Sequence, residues 1–101
     1  MKDITAKEIE DKLAANEKLN IIDVREDEEV MMGTIPGAVH IPLGEIPQRL
    51  ESLDRDNDYF ILCRSGARSA NATEFLNNNG YKATNIKGGI LDWEGEISTD
   101  L

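Results

Sequence analysis

The chain has 101 residues, 40% hydrophobic and 5% aromatic, enough for one core and too short for two full domains. Eleven Lys and Arg against twenty Asp and Glu give a net charge of -9, which argues against a protein that coats nucleic acid or an anionic membrane, so any anion site has to be built locally. Charged residues make up 31%, but the apolar ones fall in clusters separated by turn residues, the pattern of a folded chain rather than a disordered one.

No apolar stretch approaches the roughly 18 to 20 residues that span a bilayer, and Met1-Lys2-Asp3 leads into helix-like sequence without a signal-peptide core. A cytoplasmic protein with no membrane or nucleic-acid partner is expected. Cys63 is the only cysteine and His40 the only histidine, so no disulfide can close within the chain, and no metal or other cofactor is expected.

The first element is a helix opened by the capping box Thr5-Ala6-Lys7-Glu8, stapled by Ile4 and Ile9, and running to about Ala15 before Asn16. Leu19 to Val24 reads as a short apolar strand of the kind buried on both faces in a parallel sheet. Glu26 to Glu29 places acids in the first turn of a short helix that stops at Gly33, and the acidic run reads as a solvated helix start. Ile35-Pro36-Gly37 makes a turn and Ala38 to Ile41 a short strand. Pro42 to Leu53 spaces Ile46, Leu50 and Leu53 for one helical face, and 54–58 is a polar loop.

Tyr59-Phe60-Ile61-Leu62 is an uninterrupted apolar strand ending at Cys63, after which Arg64 to Ser69 leads into a helix with Ala72, Phe75 and Leu76 on one face. Asn79-Gly80 closes that helix, Ala83 to Ile86 forms a last strand, and Gly88-Gly89 turns into a short segment carrying Trp93. Alternating strands and helices predict one α/β unit over 1–101, a small parallel sheet with helices on both faces.

Open parallel sheets bind ligands beyond the carboxyl ends of their strands, where Cys63 stands. A free cysteine with a pKa of about 8.5 is mostly protonated at neutral pH, so a nucleophilic thiol needs positive potential beside it. The loop Arg64-Ser65-Gly66-Ala67-Arg68-Ser69 offers converging backbone amides, the start of a helix, and the charges of Arg64 and Arg68. An isolated cysteine is more often a small core residue, but these flanks are not those of a core position. Gly66 is read as a left-handed bend rather than as a chemical participant.

Four stretches, in this order and spacing, resemble the rhodanese family in its single-domain form: Ile22-Asp23-Val24-Arg25-Glu26, Gly33-Thr34-Ile35-Pro36-Gly37-Ala38, the loop Cys63 to Arg68, and Asn85-Ile86-Lys87-Gly88-Gly89 with Trp93. The resemblance covers roughly Asp3 to Trp93. It implies that Cys63 takes a sulfane sulfur from a donor as a persulfide and passes it to a nucleophilic acceptor, with the loop amides from Arg64 to Ser69 stabilising the persulfide anion. The implied partners are a small anionic sulfur donor and a thiol, cyanide or protein acceptor, for a monomer or weak homo-oligomer. Arg64 is similar to the cationic loop position of thiosulfate-using members, and Thr34 stands where many members carry His.

Phosphatases of the same superfamily have five residues between the cysteine and the arginine, whereas Cys63 and Arg68 have four between them, a ring suited to a sulfur atom. A redox or persulfide-sensing carrier is the competing reading, although one with no second cysteine to resolve an oxidised form. Sulfur transfer from a thiolate needs no obligatory general base, so Asp23 and Arg25 are read as a structural salt bridge or cap. His40 is read as a packed or edge histidine, and Trp93 as a cover over the core.

Overall fold

Five strands and four helices alternate along the computed structural model, which describes residues 1–99. The strands are β1 (Asp3–Thr5), β2 (Asn20–Asp23), β3 (Val39–His40), β4 (Asp58–Leu62) and β5 (Lys82–Lys87). The helices are α1 (Ala6–Ala14), α2 (Asp27–Val30), α3 (Ile46–Arg49) and α4 (Ala67–Asn78), with single 3-10 turns at Leu43–Glu45, Leu50–Ser52 and Gly89–Asp92. The sheet order is β1-β5-β4-β2-β3, and all four strand pairings are parallel, so the chain crosses over the sheet between neighbours.

The period-2 alternation of the strands divides the core into two layers. Ile22, Tyr59, Ile61, Cys63 and Ala83 face Ala72 and Leu76 of α4 together with Ile46. Ile21, Leu62 and Ile86 face Ile4, Ala6 and Ile9 on the other side, with Trp93 packed at the margin of that layer. Both faces of the sheet are covered, as an all-parallel sheet requires. The capping box at Thr5 forms as its sequence indicates, with the Glu8 amide donating to Thr5 Oγ1 and the Thr5 amide to Glu8 Oε1, and Asn16 takes a left-handed φ of 63° beyond the helix end.

Three local expectations are corrected. Asp3–Thr5 is an edge strand rather than the lead-in to a helix: Ile4 is its one buried residue, and it pairs with β5 through Ile86. Phe75 is 36% exposed, and the buried face of α4 is completed instead by Ser69 and Thr73. The segment from Pro42 to Leu53 does bury Ile46 and half-bury Leu50 and Leu53. It does so as a 3-10 turn, a short helix with Pro47 in its first turn, and another 3-10 turn, because proline cannot donate inside a continuous helix.

Register brings two polar motifs to one rim of the sheet. Asp23 of β2 lies opposite Leu62 of β4, and the Val24 amide donates to the Leu62 carbonyl at 2.9 Å, so the chain beyond β2 runs beside Cys63. Among the described residues no helix is long and apolar enough to cross a membrane.

Candidate functional site

Cys63 follows the last residue of β4, and the loop after it bends back because Gly66 adopts a φ of +104° as the N-cap of α4. That bend points the Gly66 amide at the sulfur, donating to Cys63 Sγ at 3.0 Å. Ser69, in the first turn of α4, brings its Oγ to 3.2 Å from Sγ. Burial of Cys63, which is 1% exposed, works against its anion. Hydrogen bonds from the Ser69 hydroxyl and from the amides of Ser69, Gly66 and Ser65 outweigh that cost, and the thiol is held below its ordinary pKa.

The outer side of the loop is held by the Gly88-Gly89 turn. The Ile90 amide donates to the Cys63 carbonyl at 2.9 Å and the Leu91 amide to the Arg64 carbonyl at 3.1 Å. Gly89, at φ +59°, is the residue that permits this contact, since a Cβ there would fall on the Cys63 and Arg64 carbonyl oxygens. With these carbonyls turned outward, the loop amides are free to face the sulfur.

The two arginines of the loop are placed differently. Arg68 donates from Nη1 to Glu29 Oε1 at 2.6 Å and from Nη2 to Oε2 at 2.8 Å, a bidentate pair across 39 residues of sequence. The Arg68 hydrogen bonds bring the Glu29 carboxyl down to about 2, and the same bonds hold Arg68 in its charged form. The acidic run of α2 is therefore not wholly solvated: Glu29 leaves it to brace the cysteine loop. Arg64 is exposed, with no side-chain partner among the described residues. The leading influences that lower the thiol are hydrogen-bond donors rather than the two guanidinium charges.

Asp23 and Arg25 form a closed ion pair behind this loop. Asp23 is fully buried and accepts from the Arg25 amide, Nε and Nη2 and, at 2.7 Å, from Thr34 Oγ1. Arg25 Nη2 also donates to the Gly33 carbonyl at 2.8 Å. Every strong acceptor of the carboxylate is used within the chain, as expected of a structural pair. His40 is half-buried and donates from Nε2 to the Arg25 carbonyl at 2.7 Å, again a packing role. Trp93 packs against the α1 layer and donates to the Glu96 carbonyl. The groove of about 500 Å³ beside it is lined by α1 together with Pro36, Trp93, Gly95 and Glu96, and includes no residue of the Cys63 loop.

The structure thus gathers Cys63, Ser65, Gly66 and Ser69 around one sulfur, with Ala67 opening α4, Arg68 tied to α2 and Arg64 outermost. Three residues named in the sequence reading take roles that it does not assign. Glu29 is distant in sequence, Gly89 acts through a backbone contact, and Asn85 is a buried polar residue whose Oδ1 accepts from the Ser69 hydroxyl at 2.5 Å. Asn85 and Gly89 do leave a sequence signal, the one an amide inside a short strand and the other its place in a Gly-Gly turn, whereas Glu29 leaves none.

Comparison with known proteins agrees with this fold. The family model for the rhodanese-like domain matches residues 5–96. "Putative sulfurtransferase YtwF" of Bacillus subtilis is 49% identical over 96 residues, covering 95% of this chain and 93% of that protein. A "Sulfurtransferase" of Allochromatium vinosum is 37% identical over 92 residues, covering 90% and 86%. The crystal structure of a rhodanese-like domain protein from Staphylococcus aureus matches with a TM-score of 0.94 and 41% identity over 100% of both chains. On a family match that spans nearly the whole sequence, relatives of this similarity and a shared fold, the chain belongs to the rhodanese-like family.

Proposed function

We propose that this protein is a sulfurtransferase of the thiosulfate-using kind, carrying a sulfane sulfur on Cys63 as a persulfide. The observation that supports this most is a lone, buried cysteine whose sulfur is surrounded by hydrogen-bond donors and whose pKa lies below the ordinary thiol value. The sulfurtransferase names of its relatives agree with it.

In the first half-reaction the Cys63 thiolate attacks the outer sulfur of thiosulfate, the S–S bond of the donor breaks, and sulfite leaves with the bonding pair. Cys63 then carries a persulfide anion. In the second, an acceptor such as cyanide or a thiolate attacks the outer sulfur and the thiolate is restored, so charge balances in both steps and no base is required. The amides of Ser65, Gly66 and Ser69 stabilise the negative sulfur, as preorganised donors do at developing anions. Four residues between Cys63 and Arg68 make a small ring, which favours sulfur over the tetrahedral phosphate of the related phosphatases. Thr34, where many family members carry His, gives its hydroxyl to Asp23 and takes no part in the cycle. With no second cysteine to resolve it, the thiol has to stay reduced between turnovers, which suits the cytoplasm.

The test is intact mass after incubation of the reduced protein with thiosulfate, alongside Cys63→Ser. One added sulfur atom in the unmutated protein, none in the variant, and thiocyanate production only by the former are expected, because a serine hydroxyl neither ionises near neutral pH nor forms a persulfide. Activity retained in Cys63→Ser would overturn the assignment. Loading without transfer to cyanide or a small thiol would replace the enzyme with a persulfide carrier.

A further inference from the structure

The Ser69 hydroxyl has one proton and two neighbours that can take it. Its Oγ lies 2.5 Å from Asn85 Oδ1 and 3.2 Å from Cys63 Sγ, and all three residues are buried, at 0%, 5% and 1% exposure. The orientation of the Asn85 amide decides between them. On its far side, Nδ2 lies 3.3 Å from the Gly66 carbonyl oxygen and 3.4 Å from Asp3 Oδ1, both of which only accept. Turning the amide over would set its oxygen against two acceptors, so Nδ2 stays there and Oδ1 faces Ser69. Oδ1 has no proton to give. The Ser69 proton therefore bridges the 2.5 Å separation, and the Cys63 thiol becomes the donor to Ser69 Oγ.

We infer that Asn85 is a positioning residue for the reacting sulfur: by holding the Ser69 proton it keeps Ser69 an acceptor toward the thiol, and the hydroxyl has to turn from Asn85 to Sγ each time the thiolate forms. On ionisation the thiol proton passes to solvent, the Ser69 hydroxyl keeps its proton and turns to donate it as a hydrogen bond to the thiolate, and Asn85 Oδ1 is left without its partner in a buried place. The hydrogen bonds that lower the thiol thus act against a competing claim on one of their own protons.

The consequence for the reaction rests on the persulfide reading. Once sulfur is loaded, the negative charge sits mainly on the outer sulfur and Sγ becomes a two-coordinate, weakly accepting atom. The Ser69 proton can then return to Asn85. The pair disfavours the free thiolate relative to both the thiol and the persulfide, so it shifts the step from thiolate to persulfide toward loaded sulfur without touching the donor.

The charged groups around this switch are Arg64 and Arg68 of the loop, Glu29 of α2 and Glu26 at its start, both near Arg68, Asp3 of β1 beyond Asn85, Lys87 of β5, and Asp92 beside Gly88. They are common to all the variants below and cancel in the comparison. The thiol ionisation is read from the ultraviolet absorbance of the thiolate, which reports Cys63 alone because the chain has no other cysteine. Asn85→Ala should lower the midpoint by roughly one pH unit, a tenfold change in the ionisation constant, by releasing Ser69 to the anion. The same substitution made together with Ser69→Ala should produce no such fall relative to Ser69→Ala alone. A midpoint unchanged or raised by Asn85→Ala, or an equal fall in the Ser69→Ala background, overturns the inference.

A second measurement needs no variant to fold. In the unmutated protein the side-chain carbonyl carbon resonance of Asn85 should shift in step with the thiolate absorbance, and a resonance that stays fixed through the ionisation overturns the inference. Neither measurement uses a sulfur donor, so each can fail or succeed independently of the mass experiment that tests sulfur transfer.

Discussion

At the carboxyl end of β2, Asp23 and Arg25 answer one another; at the carboxyl end of β4, the next strand in the sheet, Cys63 is answered by backbone amides and a hydroxyl. Both motifs are buried, polar and on one rim. They differ in what their partners leave over. The Asp23 carboxylate meets a full guanidinium charge and a Thr34 hydroxyl, so it has no capacity for a ligand, and the pair serves as a fixed post, Asp23 for Thr34 and Arg25 for the Gly33 carbonyl. The Cys63 sulfur meets only partial charges, which lower the thiol without neutralising its anion. A strand end thus becomes a brace when its side chains close on each other and a candidate reaction centre when the backbone supplies the donors.

Breaking the brace should therefore cost stability, whereas breaking the centre costs chemistry. Asp23→Ala leaves Arg25 charged and buried without its carboxylate, and truncating one partner of such a pair typically costs about 3–5 kcal/mol. The expected result is a large fall in the urea midpoint, against a near-normal midpoint for Cys63→Ser. Equal midpoints for Asp23→Ala and the unmutated protein would mean that the β2 pair is no brace at all.

Glu29 joins the two regions, since it grips Arg68 of the cysteine loop and its own carbonyl lies 3.5 Å from Arg25 Nη1. Its carboxyl falls from an ordinary value near 4.5 to about 2 on folding, so the folded state binds this proton less readily than the unfolded chain. The resulting stabilisation is complete above about pH 4.5 and is lost as the pH falls through 2. Because the pair is partly exposed, its worth at neutral pH is discounted to about 1–2 kcal/mol. Glu29→Gln should remove that amount near neutrality, and the difference from the unmutated protein should close by about pH 2. A difference independent of pH would place the effect in packing rather than charge.

The legible parts of the molecule are those whose reasons are local. The capping box at Thr5, the apolar runs of β2 and β4, and the left-handed bend at Gly66 each follow from a few adjacent residues. The cysteine loop was readable for the same reason, because its glycine, serines and strand-end position are contiguous. What stayed hidden is pairwise and distant. Nothing near Glu29 says that it will meet Arg68, and a three-residue β1 with one buried side chain carries too little alternation to be seen before β5 is there to pair with it. Phe75 misled for a related reason: its helical spacing fits the buried face, but small Ser69 and Thr73 occupy that face because α4 must lie close to the sulfur and to Asn85.

The smallest expected effect belongs to the one cation of the loop left without a partner among the described residues. Arg64 is exposed, its backbone carbonyl is held by Leu91, and its side chain is free to meet an arriving anion. A chain of net charge -9 repels thiosulfate at long range, but salt screens exposed charges beyond about 8 Å at physiological ionic strength, so the local cation decides the encounter. Its contribution is that of an exposed charge, worth roughly two- to fivefold in affinity. Arg64→Ala should therefore raise KM for thiosulfate by that factor, most at low salt, and change kcat little, the pattern of lost donor binding rather than lost chemistry. A protein-borne or uncharged sulfur donor should be less affected. If KM for thiosulfate is the same in Arg64→Ala at low salt, the rim of the loop does not select an anionic donor, and the preference for thiosulfate falls while the sulfur chemistry at Cys63 stands.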